Sequence, residues 1–362
     1  MPETLLSKNS GSISPHISRS IDVIRGAAAL GVIYGHSMYG FSLPVELNGA
    51  FWVWIFLPVS GYLVGRGFLP GGYGLSASGH ARFLMNRGLR IIPLAYVALV
   101  LGIFIFLGRN KPLPNTVIRQ FIFISPLNAM SLSGPLWTVA AEMQFYVLAI
   151  CLVPLTIILV RFGGPVLGFV WFLVAAYGGQ QWVTWIGDNA SQPRTLLGNI
   201  ALFIFGIYLA APSRFKCVAP PWVKGILVIL AVAEAWYLQN YKLDYFWRWG
   251  AHDSIPLGGG AACALFITFV VLVITPTHRP TLEISAKKHG PIDLIIAGLA
   301  WCGFYTYGIY VWHAVIAIFT AEYFDIKPGF FLFGLLLLAV GLAPLSYRWI
   351  EQPFLRLKVS RR

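Results

Sequence analysis

The sequence predicts an all-α integral membrane protein of about ten transmembrane helices with both termini in the cytoplasm. Three observations carry that expectation. Apolar runs of about 20 residues recur along nearly the whole chain, and that is the length a helix needs to cross a hydrocarbon core of about 30 Å. The composition could hardly supply a soluble domain with a polar surface: of 362 residues 57% are hydrophobic and 11% charged, with a mean hydropathy of +0.73. Finally, Lys and Arg are denser in every second loop, as the positive-inside rule requires.

The runs place spans at 20–41, 49–69, 90–108, 136–160, 164–186, 196–212, 222–241, 256–276, 301–321 and 329–349. Residues 1–19 precede the first span as a polar tail with Lys8 and Arg19 and without an apolar segment of their own. They are expected to stay in the cytoplasm rather than to form a cleaved signal peptide. Arg66, Arg82, Arg87 and Arg90 then lie between the second and third spans, and Arg161 between the fourth and fifth. Arg214, Lys216 and Lys224 lie around the sixth-to-seventh loop, and Arg279, Lys287 and Lys288 between the eighth and ninth spans. Arg348, Arg356, Lys358, Arg361 and Arg362 end the chain, so the cytoplasmic side holds 18 of the 26 basic residues. The outer loops hold Arg109, Lys111, Arg119, Arg194, Lys242, Arg248 and Lys327, with the loop 109–134 as the exception to the pattern. Residues 20–350 thus read as one membrane domain and 351–362 as a basic cytoplasmic tail.

A net charge of +13 could suggest a nucleic-acid partner, but its distribution over alternate loops points to membrane lipids instead. Cys151, Cys217, Cys263 and Cys302 are scattered without paired spacing, which supports neither a zinc site nor a disulfide framework, and no metal is expected. A phosphate-binding glycine loop of the P-loop or dinucleotide type is also missing.

The stretch "IDVIRGAAALGVIYGH" keeps Asp22, Arg25 and His36 in an apolar run. Arg25 and His36 are eleven residues apart, about three helical turns or about 16 Å, and therefore share a face. Asp22, three residues before Arg25, can pair with the guanidinium and lower the cost of a cation at the membrane edge. Glu142, Glu234 and His313 also lie inside apolar runs, and several ionisable residues in one bundle point to an interior polar cavity.

Five stretches resemble the acyltransferase 3 family of multi-pass membrane acyltransferases. "DVIRGAAALGVIYGH" matches its Asp, Arg, ten residues, His pattern at Asp22, Arg25 and His36. "FLPVSGYLVG" is similar to the Phe-rich Ser-Gly segment at Phe56, Ser60 and Gly61, and "RGLRIIPLAY" to an Arg-x-x-Arg-Ile-x-Pro pattern at Arg87, Arg90, Ile91 and Pro93. "GPLWTVAAEMQFY" matches at Trp137, Glu142, Phe145 and Tyr146, with Thr138 where Ser is usual and Met143 where a second acid is common. "YGIYVWH", ending at His313, and "WIEQPF", with Glu351 and Pro353, complete the set. Their order agrees with the spans over residues 20–356. Some relatives carry an added soluble esterase-like domain, and this chain is expected to end without one.

The resemblance implies transfer of an acyl group, acetyl by default, from an acyl-CoA such as acetyl-CoA to a hydroxyl of a carbohydrate or lipid-linked glycan, at the bacterial inner membrane. A hydroxyl needs a base near neutral pH, which imidazole supplies, so His36 is expected to act as general base or to carry the acyl group itself. Arg25, Arg87 and Arg90, near the cytoplasmic ends of the first and third spans, match the phosphates of coenzyme A in charge and geometry. Glu142 is a second catalytic candidate that could orient His36, pair with an Arg or hold the acceptor. Asp22, Ser60, Trp137, Tyr146, Tyr310 and His313 are supporting candidates. The alternative is a transporter of a small organic acid or sugar, whose signature of inverted repeats and broken helices is not evident in the sequence.

Overall fold

A backbone surrounded by lipid must satisfy its N–H and C=O groups within the segment, and apolar runs of this length do so as helices. The computed structural model describes residues 15–38, 49–124, 132, 136–185, 195–211, 217–242, 259–276, 290–324, 326–327 and 329–359. Residues 1–14 with Lys8, and Arg194, Arg214, Lys216, Arg248, Arg279, Lys287, Lys288, Arg361 and Arg362, lie outside the described residues.

Helices α1 (Pro15–Met38), α2 (Gly49–Phe68), α3 (Ala77–Gly108) and the short α4 (Val117–Phe121) come first. They are followed by α5 (Trp137–Trp185), α6 (Leu196–Ala210), strand β1 (Cys217–Ala219) and α7 (Pro221–Tyr241). Then come α8 (Gly259–Val273), strand β2 (Ile274–Pro276), α9 (Pro291–Phe304), α10 (Thr306–Phe324) and α11 (Phe330–Ser346). A π-helical turn, Tyr347–Glu351, leads into α12 (Gln352–Leu355). Length and apolarity alone mark five of these segments as able to cross a membrane: Gly49–Phe68, Ala77–Gly108, Trp137–Val183, Pro221–Tyr241 and Phe330–Leu355. The bent pair α9 and α10 would be a sixth.

Several expected boundaries move, each for a local reason. Helix α3 begins at Ala77 rather than 90, because Ser76 accepts the Gly79 amide at 3.2 Å and caps a polar first stretch that hydropathy alone does not show. Arg87 and Arg90 therefore lie well inside a helix and not at its end. The fourth and fifth spans are one helical stretch, broken where Gly164 takes φ 65°. An unbroken helix of 49 residues would run about 73 Å, more than twice the hydrocarbon thickness, and glycine takes the left-handed turn without a Cβ clash. The ninth expected span, 301–321, straddles a bend of 75° between Phe304 and Thr306. Thr306 stabilises that bend by donating its hydroxyl to Gly303 O at 2.6 Å, with Cys302 O at 3.2 Å. A broken helix is thus present although the sequence does not display one. The end of the eighth expected span, 274–276, is strand, paired in parallel with 217–219. Lys224 donates to Val271 O at 2.9 Å and Ile274 O at 3.3 Å, satisfying carbonyls at the end of α8.

Helix α2 is the most enclosed of the five candidate spans and packs against α1, α5, α6 and α8. Its crossing with α6 is very close: a Cβ at Gly61 would meet Phe203 O at 2.1 Å, and one at Gly206 would meet Pro58 O at 1.9 Å. That approach sets the position of Ser60. Gly61→Ala is expected to push the two helices apart at a cost of about 1–3 kcal/mol. A lower thermal midpoint of the detergent-solubilised protein would register it, and an unchanged midpoint would mean the crossing yields without strain. Outward-facing Phe104, Phe162, Ile229, Ile292 and Phe331 are strongly exposed and give the bundle an apolar exterior.

The segment after α11 continues as helix and is fastened to α3. Asn86 donates to Val359 O at 3.0 Å, accepts the Val359 amide at 3.0 Å, and reaches Tyr73 Oη at 3.2 Å. These bonds hold the 351–359 stretch beside the α3 turn that carries Arg87.

Candidate active site

Five elements converge on one cavity. Helix α1 contributes Arg25, and α3 contributes Arg87 and Arg90. From α2 come Phe56 and Ser60, and from α5 Thr138, Glu142 and Tyr146. The start of α10 supplies Thr306, Tyr307 and Tyr310. Three guanidinium groups against one carboxylate give the lining an excess of positive charge.

The polar side chains are connected. Ser60 donates to Glu142 Oε1 at 2.7 Å, and the Tyr146 hydroxyl donates to the same oxygen. The Arg87 guanidinium lies 5.0 Å from the centre of the Tyr146 ring and 5.5 Å from that of Phe83, a double cation–π contact that fixes its direction. Arg25 has Arg90, Asp22 and Glu142 as charged neighbours. Tyr307 donates to Ile91 O at 2.5 Å and ties α10 to α3 one residue beyond Arg90.

Arg25, Arg87, Arg90, Ser60, Glu142, Tyr146 and Tyr310 thus meet in one lining, as sequence candidates drawn from five separate motifs. Asp22 faces Arg25 and Arg90 through space but forms no ion pair with Arg25; among the described residues the pair within 4.0 Å is Lys111 with Glu322. Trp137, partly buried at the start of α5, packs against the core beside the cavity and does not line it. His36 and His313 also stand outside the lining. Their rings stack at 5.2 Å with Nδ1 of His36 3.2 Å from Nε2 of His313, and the edge of Tyr310 meets His313 at 5.0 Å. Tyr310 is therefore the wall shared by the cavity and the histidine pair. Glu234 lies on the exposed side of α7, outside this constellation.

Thr306, Tyr307, Asn86 and Glu351 gain importance only in three dimensions. Glu351, 4% exposed, comes from the "WIEQPF" motif and faces Arg90 across the α3 packing. The motif was the signal; its partner was not readable from it. Among the described residues no three His, Cys, Asp or Glu side chains stand together as a metal ion would require.

Fold and site define a polytopic helical protein with an anion-attracting cavity inside its bundle. The chain belongs to the acyltransferase 3 family: a family model described as an acyltransferase domain matches residues 18–348. It is 24% identical over 369 residues to peptidoglycan O-acetyltransferase OatA of Listeria monocytogenes, an alignment covering 92% of this chain and 55% of that protein. A Bacillus subtilis relative with the provisional name peptidoglycan O-acetyltransferase YrhL is 23% identical over 370 residues, covering 92% of this chain and 54% of its own. The chain spans about half the length of the curated relatives it matches. No solved structure matches it.

Proposed function

We propose that this chain is an integral-membrane O-acyltransferase that moves an acyl group, acetyl by default, from a cytoplasmic acyl-CoA to a hydroxyl of a cell-envelope carbohydrate. The peptidoglycan O-acetyltransferases among its relatives make cell-wall glycan the first acceptor to try. The observation that carries this reading is the cavity in which Arg25, Arg87 and Arg90 meet Ser60, Glu142 and Tyr146. Coenzyme A brings several phosphate charges, and guanidinium forks bind phosphate through paired charge-assisted hydrogen bonds. With the nucleotide held there, the pantetheine arm extends past Tyr310 toward His36. The acceptor oxygen attacks the thioester carbonyl as His36 takes its proton, the C–S bond breaks, and the thiolate leaves to be protonated. If His36 instead carries the acyl group, the same ring attacks first and the hydroxyl second.

The topology belongs to the same reading. Helices α1, α2, α3, the two halves of α5, α6, α7, α8, the bent α9–α10 pair and α11 make ten crossings, which return both termini to the cytoplasm of a bacterial inner membrane. At 15 residues, α6 and α8 rise only about 22 Å each, less than the hydrocarbon thickness of about 30 Å.

Purified protein given radiolabelled acetyl-CoA and isolated cell-wall glycan is expected to place label on the glycan. The bend at Tyr305 is the feature a transporter reading would use. Uptake of a sugar or organic acid into sealed vesicles without a thioester, and no label on glycan, would favour transport and overturn the proposal. Within it, Arg87→Ala is expected to raise the donor KM about tenfold or more, with acceptor KM little changed, since a charged hydrogen bond contributes about 1.5–3 kcal/mol. Calorimetry showing unaltered CoA affinity in a folded variant would count against a donor role.

A further inference from the structure

His36 and His313 come from α1 and α10, 277 residues apart in sequence, and meet through one nitrogen each. A 3.2 Å contact between Nδ1 of His36 and Nε2 of His313 holds a single proton, so one ring donates and the other accepts. The surroundings decide which. His313 is fully buried, its Nδ1 has no hydrogen-bond partner among the described residues, and the backbone carbonyls of Ile309 and Tyr310, one turn back along α10, interact with its ring. A nitrogen facing carbonyl oxygens is better occupied by a proton than by a lone pair. That leaves the lone pair of His313 on Nε2, toward His36.

We infer that His313 is a positioning residue: it accepts the Nδ1–H of His36 and so fixes His36 in the tautomer whose Nε2 carries the lone pair. General base and acyl carrier both need that nitrogen unprotonated, so the arrangement serves either route. The logic is that of an orienting group behind a catalytic imidazole, here with a neutral acceptor in place of a carboxylate. Tyr310 extends it, because its ring meets His313 on one side and lines the cavity on the other. The use made of the tautomer rests on the acyltransfer reading; the tautomer itself does not.

Two measurements separate them. Nitrogen NMR of ¹⁵N-histidine-labelled full-length protein in lipid nanodiscs, with His36 assigned by difference against His36→Gln, is expected to show Nδ1 protonated and Nε2 bare in the wild type. In His313→Leu that preference is expected to be lost, while His313→Gln, whose amide oxygen reaches toward the vacated Nε2 position, is expected to keep it. In the transfer assay His313→Leu is expected to lower kcat about 10–100-fold with donor KM within about twofold, and His313→Gln to recover most of the rate. A proton on His36 Nε2 in the wild type, or a tautomer indifferent to His313→Leu, would overturn the inference even in an active enzyme. The expected tautomer in a protein that transfers no acyl group would uphold the pair and remove the acyltransfer reading instead.

Discussion

His36→Ala is expected to lower kcat by roughly 10²–10⁴-fold, the usual contribution of a positioned acid–base group, and to leave CoA binding within about twofold of wild type. The two halves of that result come from different parts of the structure. The loss in rate would follow from chemistry, since the variant removes the proposed base, an imidazole able to take a proton from a sugar hydroxyl near neutral pH. The unchanged affinity follows from geometry, because the His36 side chain does not line the cavity that holds the three arginines. It lies beyond Tyr310 and His313, near Gly49 of α2, whose added Cβ would sit 3.4 Å from His36 Nε2. Calorimetric titration of CoA, alongside single-turnover label transfer, measures both halves on one sample. A variant that loses CoA affinity as steeply as rate would place the ring among the donor contacts and refute the division between a donor cavity and a reaction end.

How much of this was readable from the sequence depends on the length scale of each feature. Spans are set by runs of about 20 apolar residues, so α1, α2, α7 and α11 emerge close to where hydropathy places them. The face shared by Arg25 and His36 needs only helical rise. Features that depend on one hydrogen bond do not survive averaging over such a window. Ser76 extends α3 outward with a single cap, Thr306 closes the bend after α9, and three-residue strands carry no periodicity at all. Motifs located the site residues without stating their partners. Ser60 and Glu142 are 82 residues apart, and His36 and His313 lie in the first and the penultimate long helix. Only packing around α2, made close by Gly61 and Gly206, brings the Ser-Gly motif onto the Glu motif of α5. The Asp22–Arg25 pairing that helical spacing suggests does not form as an ion pair, and the bundle adds a second acid, Glu142, to the charged neighbours of Arg25.

Glu142→Ala is expected to reduce kcat/KM by at least about 10²-fold and, unlike His36→Ala, to raise donor KM as well. One carboxylate oxygen accepts the hydroxyls of both Ser60 and Tyr146, so its removal strands two half-buried or buried donors at about 1–3 kcal/mol each. Tyr146 is also the ring under Arg87, and a tyrosine released from Glu142 no longer holds that guanidinium toward the cavity. The defect should therefore spread from α5 to the donor contacts on α3. Glu142→Gln keeps one acceptor oxygen and is expected to restore donor KM more than kcat. Ser60→Ala and Tyr146→Phe each remove one donor to the shared oxygen, and their combination with Glu142→Ala is expected to be non-additive by about 0.5–3 kcal/mol. Strict additivity in that cycle would mean that Ser60 and Tyr146 work independently of Glu142. The carboxylate would then act on the acceptor alone, and the path from Glu142 through Tyr146 to Arg87 would carry no energy.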